Sequence, residues 1–162
     1  YMPSDSSLRE FHEIIVGQKI GKNHDAYALE MLIKPSEIYE QYEPLLIHFY
    51  LQHGELQKAK DLALSRLSKD SSSPFNHLLV AKTAYELKQW DLALKHSDLS
   101  VQMSKTFHKA KWLKAQTLSE LNHKDQAEKL YHSLVKEPDL DPVLYRAISE
   151  QFEKNNDLPN AI

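Results

Sequence analysis

The string GELQKA at residues 54–59 decides the fold, because related strings return along the chain at a constant interval. KQWDLA occupies residues 88–93, NHKDQA occupies 122–127 and NDLPNA occupies 156–161, so each final alanine stands 34 residues after the previous one. A fixed period of this length is typical of chains built from stacked helix-turn-helix units. The sequence therefore predicts a helical repeat.

A second set of positions, twelve residues before each alanine, indicates that the helices pack in antiparallel pairs. Small residues fill three of the four places, which are held by Ile47, Ala81, Ala115 and Ser149. Small residues at facing positions allow two helices to approach closely. Pro74 and Pro142 stand two periods apart, each after a polar break, where a proline at a helix start costs no hydrogen bond.

The period and the alanine ladder resemble the tetratricopeptide repeat family. The residues that match its pattern are Tyr50, Ala59, Ala81, Ala93, Ala115, Ala127 and Tyr131. The family's first-helix tryptophan is absent in register, since Trp112 lies one place late. The resemblance implies an all-α, right-handed solenoid of antiparallel helix pairs, with about four to five units, the last incomplete.

We expect a single solenoid over residues 7–162. Its full units are 40–73, 74–107 and 108–141, with a degenerate unit at 7–39 and a partial one at 142–162. Residues 1–6 are expected to be disordered or derived from cloning. The last unit stops early in its second helix, so the chain is expected to be a fragment whose Leu158 and Ile162 are partly uncovered.

The resemblance also implies a concave groove lined by the first helix of each unit. Carrying the family's groove positions onto this chain gives a partner-binding set of His48, Phe75, Leu78, Leu79, Lys82, Tyr85, Lys109, Trp112, Leu113 and Gln116. Its expected anchors are the large apolar residues, and Trp112→Ala is expected to weaken partner binding more than folding. The alternative interpretation is core packing, because a shift of one residue in register would bury Trp112 and Leu78.

The remaining composition points away from several other functions. The net charge is −3 and no basic run occurs, so no nucleic-acid partner is predicted. Cysteine is absent, and no two of the nine histidines are three or four residues apart, so no metal site is predicted. We find no phosphate-binding glycine loop and no nucleophile motif, and we expect no catalytic residues, no cofactor and no enzyme activity.

The sequence therefore predicts a protein-interaction scaffold that binds a protein or peptide segment with apolar anchors in the groove. One alternative is a self-associating module that forms a homodimer through its C-terminal edge. Another is the soluble part of a membrane-tethered assembly, secretion or export factor, with its anchor in a segment absent from this chain. The cytoplasm is the default location, and a periplasmic or membrane-attached location stays open.

Overall fold

Helices make up the regular structure of the described residues, which are 39–154 in this computed structural model, with side chains described for 42–152. That range holds seven α-helices and no strand, which confirms the all-α prediction there. The helices are α1 Tyr39–Gln52, α2 Leu56–Lys69, α3 Pro74–Glu86, α4 Trp90–Met103, α5 His108–Glu120, α6 Lys124–Val135 and α7 Pro142–Lys154. The predictions for residues 1–6, the unit at 7–39, Leu158, Ala161 and Ile162 lie outside the described residues.

The chain divides between Lys69 and Asp70 into two compact units, where the sequence predicted one continuous solenoid. In the first unit α1 packs against α2. In the second unit each helix from α3 to α7 packs against the next one, and α3 also contacts α5. None of the described helices is long and apolar enough to cross a bilayer.

The helix boundaries follow the 34-residue period of the sequence. The helices α2, α4 and α6 begin at Leu56, Trp90 and Lys124, while α3, α5 and α7 begin at 74, 108 and 142. Each ladder alanine is the fourth residue of its helix, and Ala59, Ala93 and Ala127 are all buried. A methyl group at these places brings the neighbouring helix close, as the sequence pattern predicted.

The same hydrogen-bonded turn ends α1, α3 and α5. Its central residue has a left-handed backbone, with φ of 75° at Gly54, 58° at Lys88 and 63° at Asn122. In each turn the next backbone N–H donates to the carbonyl five residues earlier. The three bonds are Glu55 to Tyr50 at 2.8 Å, Gln89 to Ala84 at 2.9 Å and His123 to Leu118 at 2.8 Å. This arrangement is the Schellman motif, which satisfies carbonyls left open at a helix end.

Buried polar contacts hold the pairs together beside the apolar core. In the first unit the Glu43 carboxylate is 1% exposed and accepts from Arg66 at 3.1 Å and from Lys69 at 3.3 Å. In the second unit the Ser100 hydroxyl donates to the Pro74 carbonyl at 2.7 Å and so ties α4 to the start of α3. These bonds fix each pair at one end, where the alanine contacts alone give little directionality.

Candidate partner-binding surface

The predicted binding residues of the second unit stand on α3 and α5, two helices that contact each other. On α3, Phe75, Lys82 and Tyr85 are separated by seven and three residues, so they follow one side of the helix. Lys109 and Gln116 repeat the places of Phe75 and Lys82 one period later, on α5. We call these five residues, together with Glu120, the α3–α5 surface.

Three of the predicted binding leucines lie in the core instead. Leu78 and Leu79 are each 8% exposed, and Leu113 is 6% exposed. Leu78 and Leu113 belong to one apolar cluster with Ala81 and Ala110, which joins α3 to α5. The core-packing interpretation therefore describes these leucines better than an anchoring role, because a buried side chain offers a partner almost no area.

Trp112 is half-buried and supports the packing of three helices. It lies against the apolar cluster shared by α5, α6 and α7, with its ring centroid 5.4 Å from that of Tyr131. Truncating a packed aromatic residue costs the fold several kcal/mol. The predicted selective loss of binding in Trp112→Ala therefore finds no support in its surroundings, since this change would also weaken folding.

The most accessible members of the α3–α5 surface share one place in their helices. Phe75, the second residue of α3, is 42% exposed, and Lys109, the second residue of α5, is exposed too. Val143 takes the same place in α7 and is 73% exposed. His48 is exposed on α1, in the other compact unit.

Tyr85 links the two helices of the surface. Its ring meets the Trp90 ring edge-on at a centroid distance of 5.2 Å, and its hydroxyl donates to Glu120 Oε1 at 3.5 Å. Burial, and then the negative charge of Glu120, raises the pKa of the Tyr85 phenol to about 12. The phenol therefore stays protonated near neutral pH and can serve as a hydrogen-bond donor. Lys82 and Gln116 are partly exposed and stand at equivalent positions.

Sequence reasoning missed a cavity of about 330 Å³ at the ends of α5, α6 and α7. Its walls come from Ser119 on α5, from Lys124, Ala127, Glu128 and Tyr131 on α6, and from Gln151 and Phe152 on α7. A comparison of residues 34 apart could have indicated it, because Ser119, Lys124 and Glu128 replace Tyr85, Trp90 and Leu94. Shorter or charged side chains thus stand where the preceding pair has large apolar ones.

A second feature that the sequence did not predict is a buried histidine pair between α3 and α4. The two Nδ1 atoms of His77 and His96 are 2.9 Å apart, and His77 Nε2 lies 3.1 Å from the Ser71 carbonyl. Burial lowers the pKa of His96, and the charges of His77 and Lys95 lower it further. The two positions are 19 residues apart, so no motif search at helical spacing would find them.

The side chains described between residues 42 and 152 include no group of three or more His, Asp or Glu that could hold a metal ion. No protein-family model matches this chain, and no curated protein sequence matches it.

Proposed function

We propose that this chain is a protein-interaction scaffold, a tetratricopeptide-like solenoid that binds a partner segment across the α3–α5 surface. The proposal includes the right-handed stacking and the four to five units that the sequence resemblance implies. Its structural support is the helix starts and Schellman turns that recur every 34 residues. Stacked helix pairs of this kind present the first helices of successive units side by side.

The observation that carries the proposal is the ladder of accessible residues at one helix position. Phe75, Lys109 and Val143 recur at 34-residue spacing, so a repeat would present them in a row. A partner segment with large apolar side chains would cover the exposed ring of Phe75. The Tyr85 hydroxyl, Lys82 and Gln116 supply polar groups beside that ring. An apolar contact with polar edges is the usual composition of a binding site for a peptide segment.

Site-specific photo-crosslinking tests this proposal. A benzoylphenylalanine in place of Phe75 should crosslink in the source cells to a defined protein, at one segment of its sequence. The matched control carries the same group in place of Met103, which is 45% exposed at the end of α4 and outside the α3–α5 surface. Equal crosslinking from both positions, or none from Phe75, would contradict the proposal.

Self-association is the second candidate function, and the exposure of α7 favours it. Val143 is 73% exposed and Tyr145 is 43% exposed. At the places equivalent to Tyr145, His77 contacts His96, and Lys111 binds Glu137 at 2.9 Å. A second copy could cover Tyr145 in a similar way. Sedimentation equilibrium should then show a mass that doubles with concentration and stays monomeric in Tyr145→Ser, whereas a constant monomer mass in the unaltered chain excludes this candidate.

A further inference from the structure

The cavity at the ends of α5, α6 and α7 is a local departure from the repeat. In the preceding pair the equivalent positions carry Tyr85 and Trp90, whose rings meet at 5.2 Å, and Leu94, which packs against the apolar cluster. Ser119, Lys124 and Glu128 at these places leave about 330 Å³ unfilled. The backbone geometry of the two turns is the same, so the side chains account for the space.

The surfaces around this space suit a ring. Its floor includes the side chains of Tyr131 and Phe152, whose own ring centroids are 6.2 Å apart at an angle of 79°. Ala127 adds a small apolar wall that leaves room for a large group. Aromatic rings prefer such edge-on or offset contacts with other rings. The chain itself uses the equivalent place for an indole packed against a phenol.

The charges around the cavity favour a neutral occupant. Lys124 and Glu128 are of opposite sign, and the Glu128 carboxylate lies 3.6 Å from His132 Nε2. A cationic or an anionic side chain would meet one attractive and one repulsive group at this rim. A neutral ring with a polar edge would find Ser119 and Gln151, whose side chains can donate or accept.

From these observations we infer that the cavity receives a tryptophan or tyrosine side chain of the partner polypeptide. The inference rests on the proposed function, because the occupant is part of the bound partner. It adds a second contact, built by α5, α6 and α7, to the one at the α3–α5 surface. It also states the chemistry of the partner, which is a segment with a neutral aromatic side chain.

A direct binding measurement with a small probe tests the cavity independently of any partner. N-acetyl-L-tryptophanamide is titrated into the full chain, labelled with nitrogen-15, and the backbone amide signals of Ala127, Tyr131 and Phe152 are followed by NMR. We expect saturable shifts at these amides with a dissociation constant in the millimolar range, and at least about tenfold weaker binding of N-acetyl-L-alaninamide.

Refilling the cavity with the side chains of the preceding pair supplies the decisive variants. Ser119→Tyr/Glu128→Leu should weaken probe binding by about tenfold or more, while its matched control Ser133→Tyr, at an exposed position of α6, should bind normally. Lys124→Trp fills the space from an exposed position and serves if the double variant fails to fold, with Lys129→Trp as its control.

The results separate the cavity from the proposed function. Unchanged probe binding in folded refilled variants, or no saturable shift at the three amides in the unaltered chain, overturns the inference. Crosslinking at Phe75 together with either result would leave the scaffold intact and remove only the aromatic subsite. Probe binding without any crosslink at Phe75 would retain the cavity as an aromatic site and contradict the scaffold.

Discussion

At the scale of single residues, one backbone requirement is met by three different side chains. Gly54, Lys88 and Asn122 take the same left-handed conformation at the same place in their turns. Glycine adopts it without a steric cost and asparagine tolerates it, whereas a lysine there costs about 1 kcal/mol. The turn is therefore fixed by helix packing and by its hydrogen bonds, and the residue at its centre changes only the strain.

This strain predicts opposite effects of two substitutions on the free energy of unfolding. Lys88→Gly should stabilise the chain by about 0.5–1 kcal/mol, because it removes the Cβ from a left-handed residue. Gly54→Ala should destabilise it by about 1 kcal/mol through the backbone alone, since an added Cβ meets no atom within 4 Å. Urea denaturation of both variants measures these changes, and equal signs would contradict the strain argument.

The buried histidine pair predicts a loss of stability in mild acid. Because the pKa of His96 is lowered below 6.5 in the fold, the unfolded chain binds its proton first as the pH falls. The contribution of the neutral pair is therefore complete above about pH 6.5 and is lost as the pH falls toward the folded pKa. A second proton on the pair would also set two N–H groups against each other at Nδ1.

The measurement is the melting temperature between pH 7.5 and pH 5. His96→Asn retains a polar atom near the place of Nδ1 but cannot titrate, so it should flatten this profile. The control His123→Asn removes an exposed histidine at the start of α6 and should leave the slope unchanged. Parallel slopes for the unaltered chain and His96→Asn would contradict the account.

At the scale of helices, periodicity predicted what repeats and missed what differs between repeats. The alanine ladder correctly placed buried residues at 59, 93 and 127, because the same helix contact recurs there. The predicted groove included Leu78 and Leu113, yet one residue is about 100° of helix rotation, and both leucines turn into the core. The cavity was missed because it arises where large residues are replaced, which only a comparison between repeats reveals.

The ladder alanines predict a sharp penalty for added volume. Ala93 is completely buried on α4, so Ala93→Leu should force α4 away from its neighbours and lower the free energy of unfolding by about 1–3 kcal/mol. Lys95→Leu adds an apolar side chain at an exposed position of the same helix and should change stability by less than about 0.5 kcal/mol. Similar values for the two variants, measured in urea, would show that α4 does not depend on close approach.

At the scale of the whole molecule, the repeat predicts that an entire period can be removed. Deletion of residues 88–121 joins Leu87 to Asn122, so that α3 is followed by the turn, α6 and α7 in register. Contacts in a repeat are made mainly between neighbours, so the shortened chain should remain helical and unfold cooperatively with a smaller m-value. Deletion of residues 88–117 breaks the register and should abolish the cooperative transition. Equal loss of folding in both deletions would contradict a repeat.

The central claim is that a partner segment binds across the α3–α5 surface, and its most direct test is the affinity of the crosslinked segment for chosen variants. Isothermal titration should show that Phe75→Ala weakens binding about 30-fold, which corresponds to roughly 2 kcal/mol for a contact residue of this size. Met103→Ala removes an equally exposed apolar side chain and should change the affinity by less than about twofold. The account predicts this contrast between two folded variants, and equal affinities for both would contradict it.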